Sequence, residues 1–310
     1  MMEIAPPSFG IELEFFLLGE DEFPALGATQ RVIDRWLLQG YDRPPVPELS
    51  SFQIELNPGP WPLTPTGLET ALGELERLVQ RLDQCARKEG VQLSTAALIP
   101  RISESHLCSD QYFTSDPKLS ASSRHFRNSS ATVEFEDGSS LVFPGESVVG
   151  CINEIHIHVR HRTDNETLRY YNHLNRKRDA LCAQFAAPLM LNGRMLKASC
   201  STTHLFSQAN GEMNIAGDLC RIGYLPMEIA SLDQYRRLAA SFTPIVVDEH
   251  TGELMPIERA LWFWVRLQGS SGSLRVEYRP MEMGDDWSAR VQQLFDDAYR
   301  FSLLETQTAR

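Results

Sequence analysis

Four short stretches of this 310-residue chain place chemically capable side chains at every second position. Glu12 and Glu14 flank Leu13 in the run Gly10-Ile-Glu-Leu-Glu-Phe-Phe-Leu-Leu18. Gln53, Glu55 and Asn57 alternate with Phe52, Ile54 and Leu56. Glu154, His156, His158 and Arg160 alternate with Ile155, Ile157 and Val159. Arg275, Glu277 and Arg279 alternate with Leu274, Val276 and Tyr278. A period of two is that of a β-strand, which sends successive side chains to opposite faces. An antiparallel sheet of such strands is dry on one face and polar on the other.

The polar side is unusual in what it carries. It holds no lysine, and it collects the oxygen and nitrogen donors that suit hard divalent cations. Neighbouring carboxylates repel unless something cationic lies between them. Glu12, Glu14, Glu55 and Glu277, with one or both of His156 and His158, could together hold more than one Mg²⁺ or Mn²⁺. Arg266, Arg275 and Arg279 add fixed positive charge for a phosphoryl group or a substrate carboxylate. Cations and arginines around a transferring phosphoryl group are what phosphoryl transfer needs. The chain has no Gly-x-x-x-x-Gly-Lys-Ser/Thr loop and no Gly-x-Gly-x-x-Gly after a strand, so a nucleotide here would be held through metals.

Helical periodicity supplies the elements that must position these strands. The clearest helix opens at Thr64-Pro-Thr66, ends at Gly90, and carries Leu68, Leu72, Leu75, Val79 and Leu82 on one stripe. Others are expected over Thr29–Gln39, Asp164–Phe185, Ser231–Ala240 and Trp287–Leu304. Pro58–Pro62 should end the second strand without pairing. Val91–Leu98 reads as a strand, and Thr132–Phe143 as a hairpin turning at Asp137-Gly138. Residues 101–130 are polar and serine-rich, and read either as an active-site loop or as a surface excursion. With no repeat, linker or low-complexity tract, 1–310 is expected to be a single domain.

Composition narrows the class further. The formal charge is −12, from 41 acidic against 29 basic residues, with no basic run, so nucleic acid is a poor partner. No apolar run approaches the length of a membrane span, roughly 18–20 residues, so no membrane partner is expected. The six cysteines, at 85, 108, 151, 182, 200 and 220, form no Cys-x-x-Cys and suit free thiols in a reducing, cytoplasmic setting.

Gly-Ile-Glu-Leu-Glu at 10–14, His-Ile-His-Val at 156–159 and Val-Glu-Tyr-Arg at 276–279 together resemble the type 2 glutamate–cysteine ligase and carboxylate–amine ligase family, which is related to glutamine synthetase. The amidoligase group shows a similar pattern. The resemblance implies an α+β fold: an antiparallel, half-open β-barrel like the glutamine synthetase catalytic domain, with helices packed on its outer face. It implies ATP with two or three Mg²⁺ or Mn²⁺ ions and an acyl-phosphate route to an amide or peptide bond, γ-glutamyl by the family's habit. The partners would be a glutamate-like small-molecule carboxylate and an amine, and the chain would assemble as a homo-oligomer. On this resemblance Glu12, Glu14, Glu55, His156 and Glu277 look like metal ligands, and Arg279 and Arg266 like the catalytic arginines. Arg275, Arg279, His158 and Asn57 are the expected nucleotide contacts. The chain departs from the family pattern at Arg160, where glycine is frequent, and at Ser201-Thr202, where Ser-Arg is frequent.

Two rival readings use the same residues. One is a metal-dependent hydrolase or cupin-like enzyme built on His156, His158 and a glutamate. Against it, no third histidine stands at a usual spacing, and the acidic strands exceed what one Zn²⁺ needs. The other is a non-catalytic, nucleotide-binding relative, which the retained ligand set argues against.

Overall fold

The computed structural model describes residues 6–126, 129–198, 200, 204–209, 215–225, 227–248, 250–256 and 259–308. Its centre is an eight-stranded sheet made of β1 (Ser8–Leu18), β2 (Val46–Pro47), β3 (Gln53–Leu56), β4 (Trp61–Pro62), β5 (Gln92–Ser94), β6 (Ile155–Arg160), β7 (Val265–Gln268) and β8 (Arg275–Tyr278). The strand order is β7-β8-β6-β1-β3-β2, with β4 and β5 also paired to β1. Every pairing in it is antiparallel. Among the described residues no pairing joins the β7 and β2 edges, so the sheet is open there.

The 11-residue β1 is the strand the others are registered to. Phe9, Ile11, Leu13, Phe15 and Leu17 point into one core with Ile54, Leu56, Ile157 and Val276 from the neighbouring strands. Helices α1 (Ala28–Leu38), α2 (Pro65–Lys88), α4 (Asp164–Phe185) and α6 (Trp287–Thr308) cover that side, with α3 (Pro117–Arg124) and α5 (Leu232–Ala239) completing the main helices. Leu68, Leu75 and Leu82 of α2 enter the same core, as do Leu168 and Leu174 of α4 and Val291 and Leu294 of α6. Helix α2 starts where its sequence says it should: Thr64 accepts a hydrogen bond from the Gly67 amide at 3.1 Å, with proline in the first turn.

The opposite face differs from the simple dry-and-wet expectation. Phe16 and Leu18 lie on the same side of β1 as Glu12 and Glu14, yet both are buried. They join Phe52, Ile102, Leu107, Tyr112, Phe126, Val133, Phe206 and Trp262 in a second core. The polar patch is therefore enclosed by a second layer. Residues 101–126 are part of that layer, with Tyr112 and Phe126 fully buried. They are not a surface excursion, because their scattered apolar side chains find partners far away in sequence.

Two local expectations also change. Trp61 and Pro62 do pair, with Phe9 and Ser8 of β1. The ladder avoids the missing proline N–H by using the next residue, since the Leu63 amide donates to the Pro7 carbonyl at 3.0 Å. The strand expected over Val91–Leu98 is shorter, Gln92–Ser94, because it reaches only the last three residues of β1. The hairpin is present as Ser130–Glu134 paired with Ser140–Pro144.

Because the second face is dry at Phe16, Phe16→Ala should cost about 3–5 kcal/mol, as much as Phe15→Ala on the helix-covered face. Equilibrium unfolding in denaturant measures this. A cost below about 1 kcal/mol for Phe16→Ala would contradict the second core.

Candidate active site

Strand register brings the four alternating motifs side by side. Glu12 of β1 stands opposite His156 of β6, and Glu14 opposite Glu55 of β3. Glu277 of β8 stands opposite both His158 of β6 and Arg266 of β7. Residues that are far apart in sequence thus form a lateral array on one face.

His156, 3 % exposed, is its hub. Its Nδ1 lies 2.9 Å from Glu12 Oε2 and 4.0 Å from Glu277 Oε1. Its Nε2 lies 3.1 Å from Glu154 Oε2 and 3.7 Å from Glu14 Oε1. His158 Nε2 comes within 2.8 Å of Glu12 Oε1. Glu277 is wholly buried and held from three sides: Arg266 Nε donates at 2.5 Å, Arg279 Nη1 at 2.7 Å, and Gln268 donates through its amide. Arg275 in turn donates to Gln268.

These surroundings divide the carboxylates. Burial pushes Glu14 up to about 8, with Glu48 and Glu154 adding to the effect against His156 and Arg279. Burial and the charges of Glu12, Glu48 and Glu14 hold Glu55 well above the usual range. Burial also raises Glu48, which shares a hydrogen bond with Glu55. Glu277 moves the other way: burial opposes its ionisation, but Arg266, Arg279 and His158 prevail. Glu12 is lowered likewise, because His158 and His156 outweigh its burial. His156 is pushed up to about 10: burial and Arg279 favour its neutral form, but Glu14, Glu12 and Glu154 overcome them. Arginines and histidines thus favour the ionised forms of Glu277 and Glu12, while burial and neighbouring carboxylates favour the neutral forms of Glu14, Glu48 and Glu55.

That imbalance is the test of whether metals fit. Glu12, His156 and Glu277 place ligand atoms within 4.8 Å of one another, and so do Glu14, Glu55 and His156. Glu154 Oε1 is buried and makes no hydrogen bond among the described residues. Carboxylates with one imidazole suit Mg²⁺ or Mn²⁺ better than a thiolate-seeking ion. The residues present fit divalent cations.

A cavity of about 650 Å³ opens onto this array, lined by Arg279, Arg266 and Glu14 together with Lys118, Met255 and Trp262. A second, of about 450 Å³, is lined by His158, Arg160 and Gly10. Glu12, Asn57 and Arg275 line both. The expected residues therefore converge, although His158 faces the second cavity and Asn57 lies exposed just beyond β3. Neither close ligand set includes His158. Ser201 and Thr202 lie outside the described residues.

Glu48 and Glu154 belong to the array but were not among the expected ligands. Glu154 shares the alternation of His156 and His158, which was signal enough to include it. Glu48 follows the two-residue β2, too short to show a period, and is placed by the pairing of Val46 and Pro47 with Glu55 and Ile54.

An enclosed antiparallel face of an α+β fold thus carries carboxylate–histidine sets that could hold divalent cations beside half-buried arginines. A family model described as "Glutamate-cysteine ligase family 2 (GCS2)" matches residues 8–296, and the chain belongs to that family. A solved structure, the "bifunctional glutathione synthetase from Pasteurella multocida", aligns with 96% of this chain and 38% of its own, at 13% identity and a TM-score of 0.52. The chain spans well under half of that protein, and the likeness is one of fold. A comparison with curated proteins finds no match. Among the described residues no helix is long and apolar enough to cross a membrane.

The raised Glu14 fixes a pH dependence. The folded, metal-free protein binds this proton more tightly than the unfolded chain does. Its stabilising contribution is therefore complete below pH 4.5 and is lost as the pH rises through about 8. Glu14→Gln cannot ionise, so its melting temperature relative to wild type, measured with chelator, should climb steadily across that window. A difference that stays flat or falls with pH contradicts the assignment.

Proposed function

We propose that this chain is an ATP-dependent carboxylate–amine ligase, working as a single catalytic unit over 1–310 with its sheet curved as a half-open barrel around the polar face. The observation that carries the reading is the pair of carboxylate sets sharing His156, set against Glu277 with its two arginines. Membership of the glutamate–cysteine ligase family supports it. So does the low-identity fold likeness to a protein titled as a glutathione synthetase.

In this reading Glu12, His156 and Glu277 would hold one Mg²⁺ or Mn²⁺, Glu14, Glu55 and His156 would border another, and Glu154 and Glu48 would supply further oxygens. The ions would neutralise the triphosphate and polarise its γ-phosphoryl group. A substrate carboxylate oxygen attacks the γ-phosphorus and ADP departs, leaving an acyl phosphate. The amine nitrogen, having lost a proton, then attacks the acyl carbon. Inorganic phosphate leaves and an amide remains, γ-glutamyl if glutamate is the acyl donor.

The chain's own part is positioning and charge. Arg279 and Arg266 are fixed by Glu277, so their remaining N–H groups are aimed before substrate arrives. Gln268 holds Arg275 at the junction of the two cavities. The enclosing layer, with Trp262 and Met255, keeps bulk water from a hydrolysable intermediate. A hydrolase built on the histidine pair is less favoured, because His158 stands outside both close ligand sets.

An ADP-release screen of carboxylates against amines, with Mg²⁺ or Mn²⁺, tests the reaction class. Release that requires both substrates supports a ligase, and release indifferent to either contradicts it. Arg279→Ala should lower kcat on the order of 10²-fold or more with little change in ATP affinity, and Arg279→Lys should rescue only in part. Retention of more than about a third of wild-type kcat would withdraw the phosphoryl-transfer role from Arg279.

A further inference from the structure

The lining of the larger cavity comes from two sources of opposite character. The sheet face supplies charge, with Glu12, Glu14 and Glu55 beside Arg266, Arg275 and Arg279. The second layer supplies apolar surface. Leu119 comes from α3, and Phe206 and Trp262 from the second core. Val247, Leu254 and Met255 come from a hairpin whose strands are Val246–Asp248 and Glu253–Leu254. These segments also bring charged side chains to the cavity, but Lys118 and Arg259 balance Asp116 and Glu253 in sign.

Leu254 is the residue that packing does not explain. It lines the cavity yet is 54 % exposed, and among the described residues it belongs to neither core. Its cross-strand partner Val246 is exposed as well. The hairpin itself is anchored. Met255 packs against the second core, its amide donates to the Ile245 carbonyl at 2.8 Å, and its sulfur lies 3.9 Å from Ser122 Oγ of α3. Leu254 is therefore held at the cavity with its apolar surface uncovered.

We propose that this apolar lining receives the side group of the amine substrate: a primary amine bearing an alkyl or aryl group, seated on Leu254, Met255 and Trp262 with its nitrogen toward the sheet. Neither a triphosphate nor a carboxylate gains from apolar surface, whereas an alkyl or aryl group gains in proportion to the area it buries. The nucleotide is assigned elsewhere, since His158, Arg275 and Asn57 all line the smaller cavity. The acyl donor is drawn by its charge to the arginines of the sheet face. The amine is the component left to use a lining that is apolar and balanced in charge. The inference deepens the proposed ligase reading, and rests on it for the second substrate's being an amine.

The test is a homologous series. With Mg²⁺ and a non-hydrolysable ATP analogue present, the n-alkylamines from propylamine to hexylamine, phenethylamine, and amino alcohols of matched length are titrated by calorimetry. The proteins are wild type, Leu254→Ala and Leu254→Asp, whose site is exposed enough to tolerate the changes. Affinity for wild type should rise about fourfold per added methylene, and should not rise along the amino alcohols. Leu254→Ala should lower that slope and Leu254→Asp should flatten it, with affinity for the ATP analogue unchanged. The slope is the readout because a new carboxylate attracts every ammonium group alike. The proposal is overturned if wild type binds no amine or gives a flat series, or if Leu254→Asp keeps the wild-type slope. It is also overturned if Leu254→Asp weakens the ATP analogue, which would give the lining to the base. A chain-length dependence found in straight-chain carboxylates instead of amines overturns it too, in favour of the acyl donor. Failure of the ligase reading looks different: no ADP release with any carboxylate, while the amine slope and its dependence on Leu254 persist.

Discussion

Buried like charge is the constraint on which this structure turns. Glu12, Glu14, Glu48, Glu55, Glu154 and Glu277 gather on a sheet face that a second layer encloses. Carboxylates taken out of water are costly unless paired, hydrogen-bonded or protonated. The protein uses each solution in a different place. Arginines secure Glu277, histidines secure Glu12, and Glu14, Glu48 and Glu55 are driven toward their neutral forms. Added positive charge would relieve this repulsion, and that is the physical support for proposing cations here.

Holding the array in place takes most of the fold. The antiparallel register fixes which side chains meet, and a slip by one residue on any strand would send its ligands into the helix-covered core. The apolar alternate positions of β1, β3, β6 and β8 oppose such slips, because they are buried under α2, α4 and α6. On the other side, Phe16, Leu18 and Phe52 anchor the second layer directly beside the carboxylates. Core and site are thus two aspects of the same strands: one residue of each pair provides packing and the next provides chemistry.

Much of this was legible in the sequence because a strand's period is short and local. Four motifs in phase led to Glu12, Glu14, Glu55, Glu277, the two histidines, Arg275 and Arg279, which the fold brings onto one face; the preference for His156 and the naming of Arg266 as catalytic came from the family resemblance. What escaped was non-local. Phe15-Phe16-Leu17-Leu18 is a continuous apolar run, a sign of burial on both faces that the preceding alternation obscured. The packing of residues 101–126 depends on partners such as Phe206 and Trp262, and no local period announces it. Glu48 depends on the pairing of a two-residue strand.

The most direct test of the central claim is proton release on metal binding. Mn²⁺ is titrated calorimetrically into the metal-free protein at neutral pH, in buffers of different ionisation enthalpy. A raised Glu14 and a charged His156 must give up protons when a cation replaces them. The account predicts saturable binding with net proton release, which decreases in His156→Ala. Binding without proton release, or no saturable binding at all, would contradict it.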